Sequence, residues 1–401
     1  MTMTFDEIRA LEDAHIAHTY QKLPIAIARG KGTRIWDVNG KEYIDYMGGY
    51  GVAILGQSYP KVINAIKEQI DRLMILHSSL YNEQRALFVK KLVSVSPSGL
   101  DMVYLSNSGA EALEAALKIA VKYSKRKKIL AMKGAYHGKT LGALSLTYGE
   151  KYRTSFDEFV YKGVEFAEFG NLDDVERERN LDEFAAIFVE PVQGEGGIKI
   201  PPEGFFKGLR EIADKHGSLL VVDEVQSGLG RTGKMWAHQH WGIIPDIMTI
   251  GKGIGGGIPM AATIGKTEYL STLEVGEHTS TMGGNPIACA AGRAVLESLY
   301  DDGVVDKARI SGEYLQKELR EQVGSSKIVR ELRGKGLMIA LELKVRFHDI
   351  LFKAIESGLI TLYSGKTILR LLPPLIIDQE DITKGTSILR ESLNWYENQH
   401  I

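Results

Sequence analysis

Residues 205–226 read FFKGLREIADKHGSLLVVDEVQ. A helical pattern over Phe205–His216 runs into a short β-rich apolar segment, Ser218–Asp223, that ends on an acid. The same alternation extends to both sides. Upstream, Met102–Leu105 reads as a strand, Ala110–Tyr123 as an amphipathic helix, and Lys128–Met132 and Ala185–Glu190 as strands; downstream, Ile247–Ile250 is one more. Strands alternating with helices predict an α/β fold in which a largely parallel sheet is covered by helices on both faces. Ligands of such sheets bind beyond the carboxyl ends of the strands, so the residues just after each strand carry the functional reading.

The flanks differ. Residues 25–46, IAIARGKGTRIWDVNGKEYIDY, read as a small antiparallel meander, with Asn39-Gly40 as its hairpin signal. From about residue 287 a long helical stretch leads to IVRELRGKGLMIALEL (328–343) and TILRLLPPL (367–375), both strand-like, and then to a C-terminal helix. The expected division is a large domain at 47–286 and a smaller one made of 1–46 and 287–401. A chain of 401 residues is long enough for two such cores.

Composition excludes several function classes. With 49 Lys+Arg against 51 Asp+Glu the net charge is −2, which supplies no field for holding a nucleic acid or an anionic bilayer. Cys289 is the single cysteine, so neither an intramolecular disulfide nor a Cys-rich zinc site can form; a reducing, cytoplasmic setting is expected. The first twenty residues mix acids with apolar residues and lack the continuous apolar run of a signal peptide. No run approaches the roughly 18–20 apolar residues that span a bilayer.

Three strand ends carry chemistry. After Met102–Leu105 comes Ser106-Asn107-Ser108-Gly109-Ala110-Glu111-Ala112, a hydroxyl and small residues opening a helix, which offers free N–H groups to a phosphate; alone it is also what an ordinary serine cap looks like. Asp223 ends a buried strand and requires a cation or protonated heterocycle opposite it, unless it serves as a helix cap or loop salt bridge. Lys252 follows Ile247–Ile250 within a glycine run, as an imine-forming amine requires; a surface lysine in a flexible loop is the bland alternative. The run Gly251–Gly257 satisfies G-x-G-x-x-G but leads to Ile258-Pro259 instead of a helix. Gly-Lys-Thr triplets end at Thr140, Thr267 and Thr367, yet the earlier glycine of a Walker loop is Lys133, Met260 or Ile360. His238 and His240 have no further ligands near them in sequence and read as helix-surface residues; no metal site is expected. Taken together, phosphate cradle, acid and lysine in that order are what pyridoxal 5′-phosphate needs: an anchored phosphate, a protonated ring nitrogen and a Schiff base.

The sequence resembles the class III pyridoxal-phosphate aminotransferases of the ornithine and acetylornithine group. The resemblance runs from Pro24 to the C-terminal helix through SNSGAEA (106–112), AYHGKTLGALS (135–145), VEPVQGEGG (189–197), VVDEVQSGLGRTG (221–233), GKGIGGGIP (251–259), STMGGNP (280–286) and LRLLPPL (369–375). It implies the type I aminotransferase fold, with a mostly parallel seven-stranded sheet in the large domain, working as a homodimer. Lys252 would bind the cofactor and later carry the proton, and Asp223 would pair with the ring nitrogen. Gln226 would lie near the ring hydroxyl, with Tyr136 stacked on the ring. Ser108, Gly109 and Ala110 would hold the phosphate, and Thr281 would reach the phosphate of the other subunit. Arg370 would bind the α-carboxylate of glutamate or 2-oxoglutarate, with Glu195 pairing to it when the ω-amine donor is present.

One position departs from the pattern. Where acetylornithine-type enzymes have an aromatic-His-Gly-Arg block, this chain has Tyr136-His137-Gly138-Lys139, which keeps the charge but loses the bidentate fork. The nearest resemblance is to the archaeal branch in lysine and arginine biosynthesis, whose lysine or ornithine carries its α-amine on the acidic carrier protein LysW. The alternative is an acetylornithine or ornithine aminotransferase acting on the free small molecule. Lys122, Lys125, Arg126, Lys127 and Lys128 form a basic run that either docks such a carrier or is a solvated helix end.

Overall fold

The computed structural model describes residues 3–177 and 179–401. Its central sheet has seven strands, in the spatial order Met102–Ser106, Ala261–Gly265, Ile247–Ile250, Leu219–Asp223, Phe184–Val189, Lys128–Met132 and Val164–Ala167. All run parallel except Ala261–Gly265, which is antiparallel to both of its neighbours. Phe184–Val189 and Leu219–Asp223 are buried along their whole length, which explains why they read as continuous apolar runs and not as alternation. The helix Phe205–His216 buries Phe205, Phe206, Leu209, Ile212 and Ala213, a 3.6-residue stripe laid against that sheet. The strands Lys128–Met132 and Ile247–Ile250 and this helix have the bounds read from sequence, and the others shift by a residue.

The meander forms as expected: Ile27–Lys31, Arg34–Asp37 and Glu42–Asp45 pair antiparallel. Its hairpin differs from the two-residue type that Asn-Gly signals. Three residues connect Asp37 to Lys41, and only Gly40 has positive φ (84°); the Asp37 carboxylate ties the loop by accepting the N–H groups of Asn39 and Lys41 at 2.9 Å. Leu359–Ile360 joins this sheet parallel to Glu42–Asp45, so the two ends of the chain meet there. A third sheet has the order Val329–Lys335, Met338–Leu343, Ile368–Leu371, Leu362–Ser364.

Several features had no counterpart in the sequence reading, among them the strand Ala261–Gly265 and two near the start of the chain. A capped helix, Phe5–His15, contains no buried residue. Residues Gly48, Gly49, Tyr50 and Gly51 all have positive φ, giving a left-handed turn headed by the buried Asp45 carboxylate, which accepts the N–H groups of Met47 (3.0 Å) and Gly48 (2.8 Å). Among the described residues no helix is long and apolar enough to cross a membrane.

Candidate active site

The strand Met102–Ser106 delivers the chain to a helix, Gly109–Ser124, through a capping box. Ser108 Oγ accepts the Glu111 N–H at 3.3 Å, while Glu111 Oε2 accepts those of Asn107 (2.6 Å) and Ser108 (3.2 Å). The box leaves the Gly109 and Ala110 N–H groups without a partner among the described residues, at the positive end of a sixteen-residue helix. A Cβ at Gly109 would lie 2.8 Å from Val225 Cγ1, because the loop after Asp223 packs directly on this turn. Valine cannot swing away, so Gly109→Ala is expected to push the cradle out of place at a cost of about 1–3 kcal/mol. Titration with the cofactor expected from the sequence should then show roughly tenfold or more weaker binding; unchanged affinity would remove Gly109 from the expected phosphate cradle.

Asp223 ends its strand almost wholly buried. Its Oδ1 accepts the Val225 N–H at 3.0 Å and the Thr249 hydroxyl at 3.3 Å, and its Oδ2 accepts Nδ1–H of His137 at 2.7 Å. Burial works against a charged His137, but the bond to Asp223 prevails and holds its pKa above the ordinary value. His137 Nε2 is buried without a partner. Beside them Glu190, also buried, is pushed up to about 7 by loss of solvent; its two oxygens accept the N–H groups of Tyr136 (2.8 Å) and Gly194 (2.9 Å). Neither His137 nor Glu190 was singled out from sequence. Glu190 could have been, since it too stands directly after a strand.

Lys252 opens the turn after Ile247–Ile250 with φ +47°, a left-handed conformation that costs a non-glycine residue about 1–3 kcal/mol and collects at functional positions. Its Nζ has no hydrogen-bond or ion-pair partner among the described residues. Burial lowers the amine's pKa to about 8; the Glu195 carboxylate opposes this and the Arg370 guanidinium adds to it, which places both close by. Arg370, on the strand Ile368–Leu371, is fully buried and gives Nη2 to Glu195 Oε1 at 2.7 Å, while its Nε and Nη1 have no partner among the described residues. Gln226 Oε1 is likewise buried with no donor, turned toward Gly194.

Tyr136 packs edge-on against Tyr152 (centroids 5.6 Å apart), and Lys139 Nζ lies 6.0 Å and 5.5 Å from those two ring centres. Lys139 is exposed, whereas Arg370 is not. Tyr50, lifted by its left-handed turn, feels the charges of Arg370 and Glu195. Thr281 is exposed and lines the same surface as Asn107 and Tyr104, outside the Lys252 group in this chain.

Two other readings change. His238 and His240 are not helix-surface residues: His238 is buried with Nδ1 2.9 Å from Glu224 Oε1, and His240 Nε2 meets the Thr232 carbonyl at 3.0 Å. The basic run is largely spent within the chain. Lys122 pairs with Glu277 and Glu274, Lys128 with Glu183 and Glu165, and Arg126 donates to the carbonyls of Phe184, His216 and Gly217. Of the run, Lys125 and Lys127 have no side-chain partner among the described residues.

A family model described as "Aminotransferase class-III" matches residues 15–393. The chain is 43% identical to the "[LysW]-aminoadipate semialdehyde/glutamate semialdehyde transaminase" of Sulfurisphaera tokodaii, over 94% of this chain and 96% of that one. It is 39% identical to the acetylornithine aminotransferase of Methanopyrus kandleri, over 96% and 99%. A solved ornithine aminotransferase from Toxoplasma gondii, described with pyridoxal phosphate partially occupying its active site, superposes with a TM-score of 0.95 at 32% identity, covering 99% and 96%.

Proposed function

Because the chain belongs to the class-III aminotransferases, which take pyridoxal phosphate, we propose that it moves the terminal amine of an α-N-linked lysine or ornithine to 2-oxoglutarate, and from glutamate in reverse. The residues fit that cofactor. Gly109 and Ala110 offer free N–H groups to its phosphate, Gln226 Oε1 lacks the donor that a ring hydroxyl supplies, and Lys252 has a free, depressed amine.

Bound pyridoxal phosphate supplies an aldehyde that takes the amine and a ring that draws electrons from the carbon losing its proton. Asp223, steadied by Val225 and His137, would keep the ring nitrogen protonated, and Tyr136 would stack on the ring. Lys252 would hold the cofactor and carry the proton from the substrate carbon, a role suited to an amine whose pKa lies near 8.

The observation that carries the two-substrate reading is Arg370 closed on Glu195 beside Lys252. A buried guanidinium left open would trap any carboxylate; closed, it lets the pocket accept a chain that has none there, and opened, its spare Nε and Nη1 bind glutamate. Glu195→Gln is expected to weaken the closed state by the ~1.5–3 kcal/mol of a charged hydrogen bond. The ω-amine half-reaction should slow roughly tenfold or more while the glutamate half-reaction holds or gains. Equal losses in both, measured by single turnover, would show that the pair is not a switch.

For the α-side of the donor, the names of the Sulfurisphaera relative and of the Deinococcus radiodurans relative, a "[LysW]-aminoadipate semialdehyde transaminase" 42% identical to this chain, support a carrier-linked amine, as does Lys139 in place of an arginine. The acetylornithine relatives support the second reading, an enzyme of free acetylated ornithine. Mixing the loaded enzyme with N-acetylornithine or with carrier-linked lysine and following loss of its visible absorption separates the two. Rapid loss with the carrier-linked amine alone supports the first; equal or faster loss with N-acetylornithine overturns it. A homodimer is proposed with it, favoured by the exposed apolar stretch Ile70, Leu73, Met74, Ile75, Leu80 and Tyr81, and the setting is proposed to be cytoplasmic.

A further inference from the structure

Arg231 is buried between the loop that follows Asp223 and the strands that carry Arg370. Its Nη1 donates to the carbonyls of Pro373 (2.5 Å) and Leu337 (3.1 Å), and its own carbonyl accepts the Leu337 N–H at 3.0 Å. Leu337 leads into the strand Met338–Leu343, in which Ala340 stands opposite Arg370; Pro373 lies three residues beyond Arg370. On the other side, the Arg231 N–H bonds to Gly228 O at 3.2 Å, within the turn that begins at Val225 and contains Gln226. Asp45, the carboxylate that heads the left-handed turn of Tyr50, supplies the opposing charge, yet burial still pushes the Arg231 guanidinium down to about 10.

A buried cation is costly, and well-packed apolar side chains often replace one without loss of stability. What an apolar side chain could not do here is tie the cofactor loop to the two facing strand ends, Leu337 and Pro373, three positions along the ladder from the Ala340–Arg370 pair. We infer that Arg231 is a positioning residue: it sets the distance between the Arg370 guanidinium and the cofactor loop, and so where the carboxylate of glutamate rests relative to Lys252. It touches neither substrate nor cofactor and acts through Arg370. The inference therefore rests on the assignment of Arg370 to the glutamate carboxylate. Misplacement by about 1 Å costs on the order of 10²-fold in rate, and it falls on the half-reaction that uses Arg370 in the open state.

The test uses the holoenzyme of Arg231→Lys, which keeps the charge and loses the fork, in single turnovers with glutamate and with the ω-amine donor that the absorbance comparison selects, carrier-linked lysine or N-acetylornithine. The expected result is at least a roughly tenfold fall in kcat/KM for glutamate, with that donor changed by no more than about threefold. In an Arg370→Gln background, adding Arg231→Lys should cost the glutamate step nothing further, since residues acting through one another are not additive. Equal falls in both half-reactions, no fall, or additive losses overturn the proposal. Arg370→Gln alone tests the underlying assignment: if it spares the glutamate step, the reading of Arg370 fails, a result separate from any obtained at Arg231. Should Arg231→Lys not yield holoenzyme, Arg231→Gln takes its place, and failure of both would assign Arg231 to folding alone and overturn the inference.

Discussion

Lys252→Ala is expected to abolish steady-state transamination and, at the same time, to stabilise the cofactor-free chain at neutral pH. Loss of the proton carrier alone removes about 10²–10⁴-fold in rate, and loss of the anchoring amine removes the visible absorption of the resting enzyme as well. The stability gain follows from the amine's environment. An ordinary lysine titrates at 10.5, this one at about 8 because burial disfavours its charge. Between those values the unfolded chain holds a proton that the folded chain has released, so wild-type stability rises with pH across that window. Below it the folded chain bears the whole penalty, about 3 kcal/mol at ~1.4 kcal/mol per pH unit. Alanine bears none of it and keeps the same backbone strain. Urea unfolding of the two apoproteins should thus differ most at pH 7 and converge toward pH 10.5. Appreciable steady-state turnover by the variant would refute the assignment of Lys252, and equal stability at pH 7 would refute the desolvation argument.

Asp223→Asn should have the next largest effect, and of a different kind. An amide cannot keep the ring nitrogen protonated, so both half-reactions are expected to fall together by about 10²–10⁴-fold, in contrast to the split expected at Glu195. The same change strips His137 of the carboxylate that holds its pKa up. Breaking a buried pair from one side costs about 3–5 kcal/mol when the remaining charge stays, and His137 escapes part of that by losing its proton. Single turnovers with glutamate and with the ω-amine donor that the wild-type enzyme accepts check the first claim. A variant that slows only one of them would show that Asp223 does not act on the ring.

What could be read beforehand was what lies next to a strand along the chain. Asp223 and Lys252 each follow an apolar β-rich run directly, so their place at the sheet's carboxyl edge was legible once the runs were identified. The helix after Ser108 was legible from its hydroxyl and small residues ahead of an amphipathic pattern, whereas the part Glu111 plays in capping it was not read. His137 was not legible as a partner of Asp223, because 86 residues separate them and nothing in either neighbourhood encodes the other. The strand Ala261–Gly265 was missed for a physical reason: all five residues are buried, so no alternation marks them, and they emerge from a glycine run that reads as loop. Tyr50 in a left-handed turn was equally hidden, since the surrounding glycines signal a turn but not that the tyrosine shares its hand. His238 was misplaced on a surface because its buried partner, Glu224, stands fourteen residues earlier.

The antiparallel strand that was missed also governs when the protein can begin to work. Met102–Ser106 is the edge of the central sheet, and Ala261–Gly265 is its one strand neighbour. Ser106 sits opposite Ala261, a separation of 155 residues along the chain. At about 5–20 residues per second, a ribosome takes roughly 10–30 s to make the stretch between them. Throughout that interval the cradle that hangs from Ser106 has no sheet to hold it, and for most of it the lysine has not been made. Cofactor capture therefore waits until about two-thirds of the 401-residue chain has been made, and the vitamin-derived group cannot act as a template for the earlier stages of folding.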